Sequence, residues 1–201
     1  TTESTPDTTT TTSSKDIPAD AIIYNFVPDG LTYTAGDPNT VVVAPGQQVT
    51  ANLTVTNDQG TAGMQFYFTF DPALTFNRKK DGDAYDMTPT WNKEDFSYVW
   101  TTPNGKEQKA ADGAIMTQFL FTMPDKDGSY TIDLNENSAK PNMVRPEGPI
   151  DTTPSYDYEF HGLTFVVGDA VATTTTESNP TSSENVPAGT IVYNFVPDGL
   201  S

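Results

Sequence analysis

One histidine, no cysteine and a scatter of carboxylates set the chemistry open to this 201-residue chain. His161 has no cysteine to activate, and no G-x-S-x-G elbow offers it a serine, so the usual nucleophile–base pairs are missing. A single His without thiolates is also a poor start for a transition-metal site. The stretch DKDGSYTID resembles a calcium loop if Gly128 is its sixth position, which puts Asp125 and Asp127 at the third and fifth. The first and twelfth positions would then be Met123 and Leu134, neither of which can supply a carboxylate, so a tight turn is the better reading. Glu94 and Asp95 are adjacent, and neighbours on a strand point to opposite faces, so they cannot flank one glycosidic bond. Gly-rich phosphate loops are absent. What remains is recognition chemistry: Tyr67 interrupts the polar face of its strand, and Trp91 sits in a polar connection. Either could stack on a sugar ring or anchor a protein contact, and Trp91 could equally cap the end of the core. Catalytic and metal-ligating residues are both expected to be none.

The elements that would position these aromatics read as strands. In GMQFYFTF, Met64, Phe66, Phe68 and Phe70 share one face, while Gln65, Tyr67 and Thr69 share the other. QQVTANLTVTN alternates likewise, with Val49, Ala51, Leu53 and Val55 on the apolar side. FSYVWTT sets Phe96, Tyr98 and Trp100 against Ser97, Val99 and Thr101. AIMTQFLFTM is apolar on both faces, as a central strand would be, and SYTIDL and HGLTFVVG complete the set. Turn signals such as Pro45-Gly46, Asn104-Gly105 and Asp112-Gly113 separate them. Two intervals, NRKKDGDAYDMTPTWNKED and NENSAKPNMVRPEGPIDTTPSYDYE, are too long for hairpins and read as polar connections. The pattern predicts an all-β, antiparallel sandwich or closed barrel.

The start of the chain recurs near its end. IPADAIIYNFVPDGL, beginning at Ile17, returns as VPAGTIVYNFVPDGL at Val186, a displacement of 169 residues. Solenoid periods run to roughly 20–50 residues, so this spacing predicts a whole module followed by the first strand of another. The expected organisation is a Thr/Ser-rich linker over 1–20, a β-sandwich over 21–170, a second Thr-rich linker over 171–189 and a first strand of a next module over 190–201. A net charge of −17 argues against nucleic acid and anionic membranes, which select basic patches. No run approaches the ~18 apolar residues of a membrane helix.

The strings GMQFYFTFDPALTF, FSYVWTTPNG, DGAIMTQFLF and LTFVVGD, in this order and between Thr-rich linkers, resemble a cohesin module of a cellulosomal scaffoldin, of the type from rumen anaerobes. The resemblance spans Ala21 to about Asp169. It implies a nine-stranded jelly-roll sandwich with no enzymatic turnover and no cofactor of its own. Its partner would be the dockerin domain of plant-wall-degrading enzymes, with calcium carried by the dockerin. It also implies a secreted protein held at the cell surface through the parent scaffoldin, and a monomeric module. The repeat itself adds, as an option, strand exchange through 190–201 with Ile22 to Val27 of another molecule. The family binds dockerin on a sheet face made by its third, fifth, sixth and eighth strands. Carried over, the third offers Gly63, Gln65 and Tyr67; the fifth offers Trp91; the sixth offers Val99, Thr101 and Thr102. The eighth offers Thr131, Asp133 and Asn135. Where clostridial relatives often show Asn and Asp on the third strand, Gly63 and Gln65 stand here, which implies a less polar contact centred on Tyr67 and Val99. Two other readings compete: a carbohydrate-binding sandwich module, which needs aromatics aligned along one face, and a structural repeat of a surface adhesin.

Overall fold

A computed structural model describes residues 18–86, 88–102, 106–135, 139–143 and 156–168. The second copy of the repeat and both Thr-rich linkers, apart from residues 18–20, lie outside them. Twelve strands and no helix occur among the described residues. They are β1 (Ile22–Pro28), β2 (Thr40–Val43), β3 (Gln48–Thr56), β4 (Gly63–Phe70), β5 (Thr75–Asp81) and β6 (Thr90–Asn92). The remainder are β7 (Ser97–Thr101), β8 (Ala114–Thr122), β9 (Gly128–Leu134), β10 (Lys140–Met143), β11 (Tyr158–His161) and β12 (Leu163–Val167). One sheet runs β11-β1-β3-β8-β5 and the other β2-β12-β9-β4-β7-β6, with β10 beside β4.

Alternation dictates which side of each strand is buried. Val49, Ala51, Leu53 and Val55 of β3 are at most 3% exposed, while Thr50, Thr54 and Thr56 between them are half-buried. Met64, Phe66, Phe68 and Phe70 of β4 face the same interior. The two sheets meet through rings: Phe26 of β1 lies 5.6 Å from Phe68 of β4, and Phe119 of β8 lies 5.3 Å from Phe68. Each such ring, removed from water, contributes roughly 1.5–3 kcal/mol. Asp58, 1% exposed, ties one end of the sandwich together. Its carboxylate accepts from the amides of Gly60 (2.9 Å) and Ala110 (2.8 Å) and from the Tyr85 hydroxyl (3.0 Å).

Three expectations change. The sandwich is mixed rather than wholly antiparallel: β1 pairs parallel with β11, and β12 pairs parallel with β2. Alternation reveals faces but not partners, so this could not be read from the residues. The two polar connections are not free of strands, since they hold β6 and β10 and overlap β5 and β11. Finally, the HGLTFVVG segment is not one strand. It breaks at Gly162, with His161 ending β11 in one sheet and Leu163 opening β12 in the other. A Cβ at Gly162 would lie 2.8 Å from the Ile132 carbonyl oxygen, so the crossing needs glycine.

Candidate recognition face

The outward side of the seven-stranded sheet gathers most of the expected contact residues. On β4 the positions turned away from the core are Gly63, Gln65, Tyr67 and Thr69, and β7 pairs in register with the stretch from Gly63 to Tyr67. Gly63 stands opposite Thr101, Gln65 opposite Val99 and Tyr67 opposite Ser97. Beyond β7, the short β6 sets Thr90 against Val99 and Asn92 against Ser97. The other edge of β4 is shared by two strands. β9 covers its C-terminal half, with Asp133 opposite Thr69, and β10 covers its N-terminal half, with Lys140 opposite Gln65. Between them the amide of Asn135 donates to the carbonyl of Tyr67 at 2.7 Å.

At the centre, the Gln65 side-chain amide donates to the Tyr67 hydroxyl at 2.6 Å. Residues two apart on a strand share a face, so this bond draws the Tyr67 ring back along β4 towards the row of Val99. The hydroxyl accepts from Gln65 and keeps its own proton to donate. Both side chains are half-buried, as is Val99, while Thr69 and Thr101 are exposed. The arrangement is an ordered, half-apolar strip with hydroxyl-bearing side chains around it.

Thr131 and Asp133 on β9 are exposed, as is Asn135 just past its end. The Asp133 carboxylate lies against backbone, since a Cβ at Gly162 would approach its Cγ to 2.9 Å. That desolvation raises its pKa, and the Leu134 amide donating to its Oδ1 at 2.7 Å partly opposes the shift.

Three expected contact residues offer this surface no side chain. Trp91 faces inward: its ring centroid lies 5.1 Å from Phe119 and 5.7 Å from Phe76, so it closes the open end of the core. Thr102 is 5% exposed and points its hydroxyl at the Ala62 carbonyl (3.2 Å), because the chain leaves β7 and turns inward there. Gly63 is buried beneath its neighbours. A Cβ added there would sit 3.0 Å from the Trp100 carbonyl oxygen, 3.1 Å from Thr101 Cγ2 and 3.3 Å from Met143 Cε. Conversely, Thr90, Asn92 and Lys140 lie on the recognition face without having been expected there. They fall in stretches too short and too polar to show a period.

The remaining chemistry-bearing residues stay apart. His161 Nε2 is 3.1 Å from Glu159 Oε1 on β11, at the edge of the other sheet. Asn92 Oδ1 accepts from the Glu94 amide and Asp95 Oδ1 from the Ser97 amide, so the Glu94-Asp95 pair belongs to the turn joining β6 and β7. The Asp125–Gly128 stretch joins β8 to β9, where the Tyr130 hydroxyl donates to the Lys126 carbonyl at 2.8 Å. Among the described residues no three His, Cys, Asp or Glu side chains are grouped to hold a metal.

No protein-family model and no curated protein matches the chain. Solved structures do resemble it. The seventh ScaB type I cohesin from Pseudobacteroides cellulosolvens superposes with a TM-score of 0.55 at 12% identity, over 74% of this chain and 92% of that one. A chain of a type I cohesin–dockerin complex from Clostridium thermocellum gives 0.50 at 14% identity, over 73% and 99%. A non-cellulosomal cohesin from the hyperthermophilic archaeon Archaeoglobus fulgidus gives 0.50 at 12% identity, over 74% and 91%. At these identities the likeness establishes the architecture: the two-sheet sandwich has the cohesin fold.

Proposed function

We propose that this cohesin-fold module is a non-catalytic adaptor that binds a dockerin through the outward face of its seven-stranded sheet. The observation that carries the reading is the strip on β4 and β7, where a tethered Tyr67, Gln65 and Val99 lie in register on the outer side of this fold. The Clostridium thermocellum neighbour, a cohesin–dockerin complex, supports dockerin as the class of partner. Within this reading Tyr67 and Val99 are the anchors, Thr69, Thr90 and Thr101 surround them, and Asp133, Asn135 and Lys140 add polar contacts towards one side. The module works as a monomer with one dockerin. It holds no cofactor, and calcium belongs to the partner.

On the same proposal the parent is a secreted scaffoldin of the rumen-anaerobe type that collects plant-wall-degrading enzymes. The repeat spaced by 169 residues fits an array of such modules joined by Thr-rich linkers. Enzymes held on one scaffold share effective concentrations in about the millimolar range. The carbohydrate-binding reading is weaker, because Trp91 packs into the core and leaves Tyr67 without an aromatic companion on its face among the described residues.

Calorimetric titration against a panel of dockerin-bearing enzymes, with calcium and with chelator, tests the function. Binding to one dockerin group that disappears on chelation is expected. Affinity for cellulose or xylan with none for any dockerin, or dockerin binding that survives chelation, counts decisively against it.

A further inference from the structure

The outer face of the five-stranded sheet differs from the recognition face: it is polar and carries cations at one edge. Across it, the register sets Thr50 of β3 against Leu120 of β8, and Leu120 against Arg78 of β5. The next row sets Asn52 against Gln118, and Gln118 against Lys80. Asp29, just past the end of β1, joins the first row through its amide, which donates to the Thr50 carbonyl at 2.8 Å. Together Asp29, Thr50, Arg78, Lys80, Gln118 and Leu120 line a groove of about 280 Å³ that runs across the strands.

The two ends of the groove offer opposite chemistry. Arg78 and Lys80 are exposed, and residues two apart on a strand share a face about 7 Å from each other. The salt bridges among the described residues join Lys79 to Asp81 and His161 to Glu159, so neither Arg78 nor Lys80 has a carboxylate partner there. In a chain of 27 acidic and 10 basic residues, two such neighbouring cations are a local exception. The floor is ordered. Gln118 Nε2 donates at 2.7 Å to Oδ1 of Asn52, itself 8% exposed, and Gln118 Oε1 remains as an acceptor. Leu120, half-buried, sets an apolar spot between Arg78 and Thr50. At the far end stand the Thr50 hydroxyl and the Asp29 carboxylate. Strands lie about 4.8 Å apart, so the groove spans about 14 Å from β5 to the end of β1.

These groups select a ligand. Polyphosphate would satisfy the cations, but it brings no donors for Gln118 Oε1 or Asp29, and a chain at −17 repels so dense an anion. An acidic peptide has its donors in the backbone, which pairs with a strand edge rather than lying across strands. A neutral sugar leaves both cations unused. A sugar acid meets every group: a carboxylate for Arg78 and Lys80, hydroxyls that donate to Gln118 and Asp29, and a C–H face for Leu120. We propose that this groove is a second binding site, taking a short oligosaccharide of uronic acids on the face opposite the Tyr67 strip.

Titration of the ¹⁵N-labelled full chain, followed by amide NMR shifts, tests the site. The probes are trigalacturonate and an oligoglucuronate, with galactotriose, tripolyphosphate and oligoglutamate for comparison. At least one uronide should give saturable shifts at the Gln118 side-chain amide and at the backbone of Thr50, Arg78 and Leu120. The other three should bind about tenfold more weakly or not at all. Replacing Arg78 and Lys80 together by Gln should weaken uronide binding by about tenfold or more while the β-sheet circular dichroism is unchanged. Asp29→Ala should weaken the uronide and strengthen tripolyphosphate. No saturable shift with either uronide at millimolar concentration overturns the proposal, as do shifts confined to another surface. Tripolyphosphate or oligoglutamate binding as tightly as the uronides reduces the groove to a cationic spot and overturns it too. None of these readouts involves a dockerin, so the groove and the adaptor function stand or fall separately.

Discussion

Tyr67 and Trp91 have similar credentials as aromatic residues in polar surroundings, yet the fold gives them opposite tasks. The Tyr67 hydroxyl is held by Gln65 on the outer face, while Trp91 covers Phe119 and Phe76 at the end of the core. Truncation should separate the two. On the proposed function, Tyr67→Ala or Val99→Ala should weaken dockerin binding by about 2 kcal/mol, or about 30-fold in Kd, with little change in Tm. Trp91→Ala opens the packed end of the core and should lower stability by about 2–3 kcal/mol while leaving the dockerin Kd nearly unchanged. Calorimetry of binding and denaturant unfolding on the same three variants checks both halves. Equal Kd for Tyr67→Ala, Val99→Ala and the parent chain would move the contact to another surface.

Strands with one wet face were legible, and strands at sheet edges were not. The alternation of β3, β4 and β7 showed which residues face in, and through it Gln65, Tyr67, Val99 and Thr101 were separated from the core side. β5 reads TFNRKKD and has no such pattern, because it is an edge strand with charge on both faces. Lys79 leans inward over the Tyr98 ring and pairs with Asp81, whereas Arg78 and Lys80 sit opposite Leu120 and Gln118 on the outer side. β6, at three residues, is too short for any period, which is why the inward side of Trp91 could not be read from the residues. The charges on β5 have a use of their own. An edge strand presents unpaired amides and carbonyls, and cations there oppose the docking of another strand. Replacing both Arg78 and Lys80 by Val should leave the fold intact but promote self-association, seen as a rising scattered mass at concentrations where the parent chain stays monomeric. An unchanged mass would show that β5 is protected by its bulge between Phe76 and Arg78 rather than by charge.

Across the whole molecule, the sandwich joins a strongly negative chain to an interior that holds phenols away from water. Tyr24, Tyr85 and Tyr98 are 0%, 8% and 1% exposed. Burial raises all three phenol pKa values, and nearby carboxylates add to it: Asp58 beside Tyr24 and Tyr85, Asp81 beside Tyr98. A raised phenol pKa means that the folded state favours the neutral form. Its stabilising effect is complete below the ordinary phenol value of about 10 and is lost progressively as pH climbs above it, because the unfolded chain ionises first. Ionisation also adds negative charge to a chain already at −17, which further favours expansion. The module should therefore be insensitive to pH through neutrality and unfold cooperatively in alkali. The phenolate absorbance of these three tyrosines should appear together with the loss of β-sheet circular dichroism rather than before it. Replacing Tyr98 by Phe should move that transition to higher pH, since one phenol and its repulsion from Asp81 are removed without changing the ring that packs against Phe66. A titration in which all nine tyrosines ionise before the sheet signal falls would show that the interior is open to water at high pH.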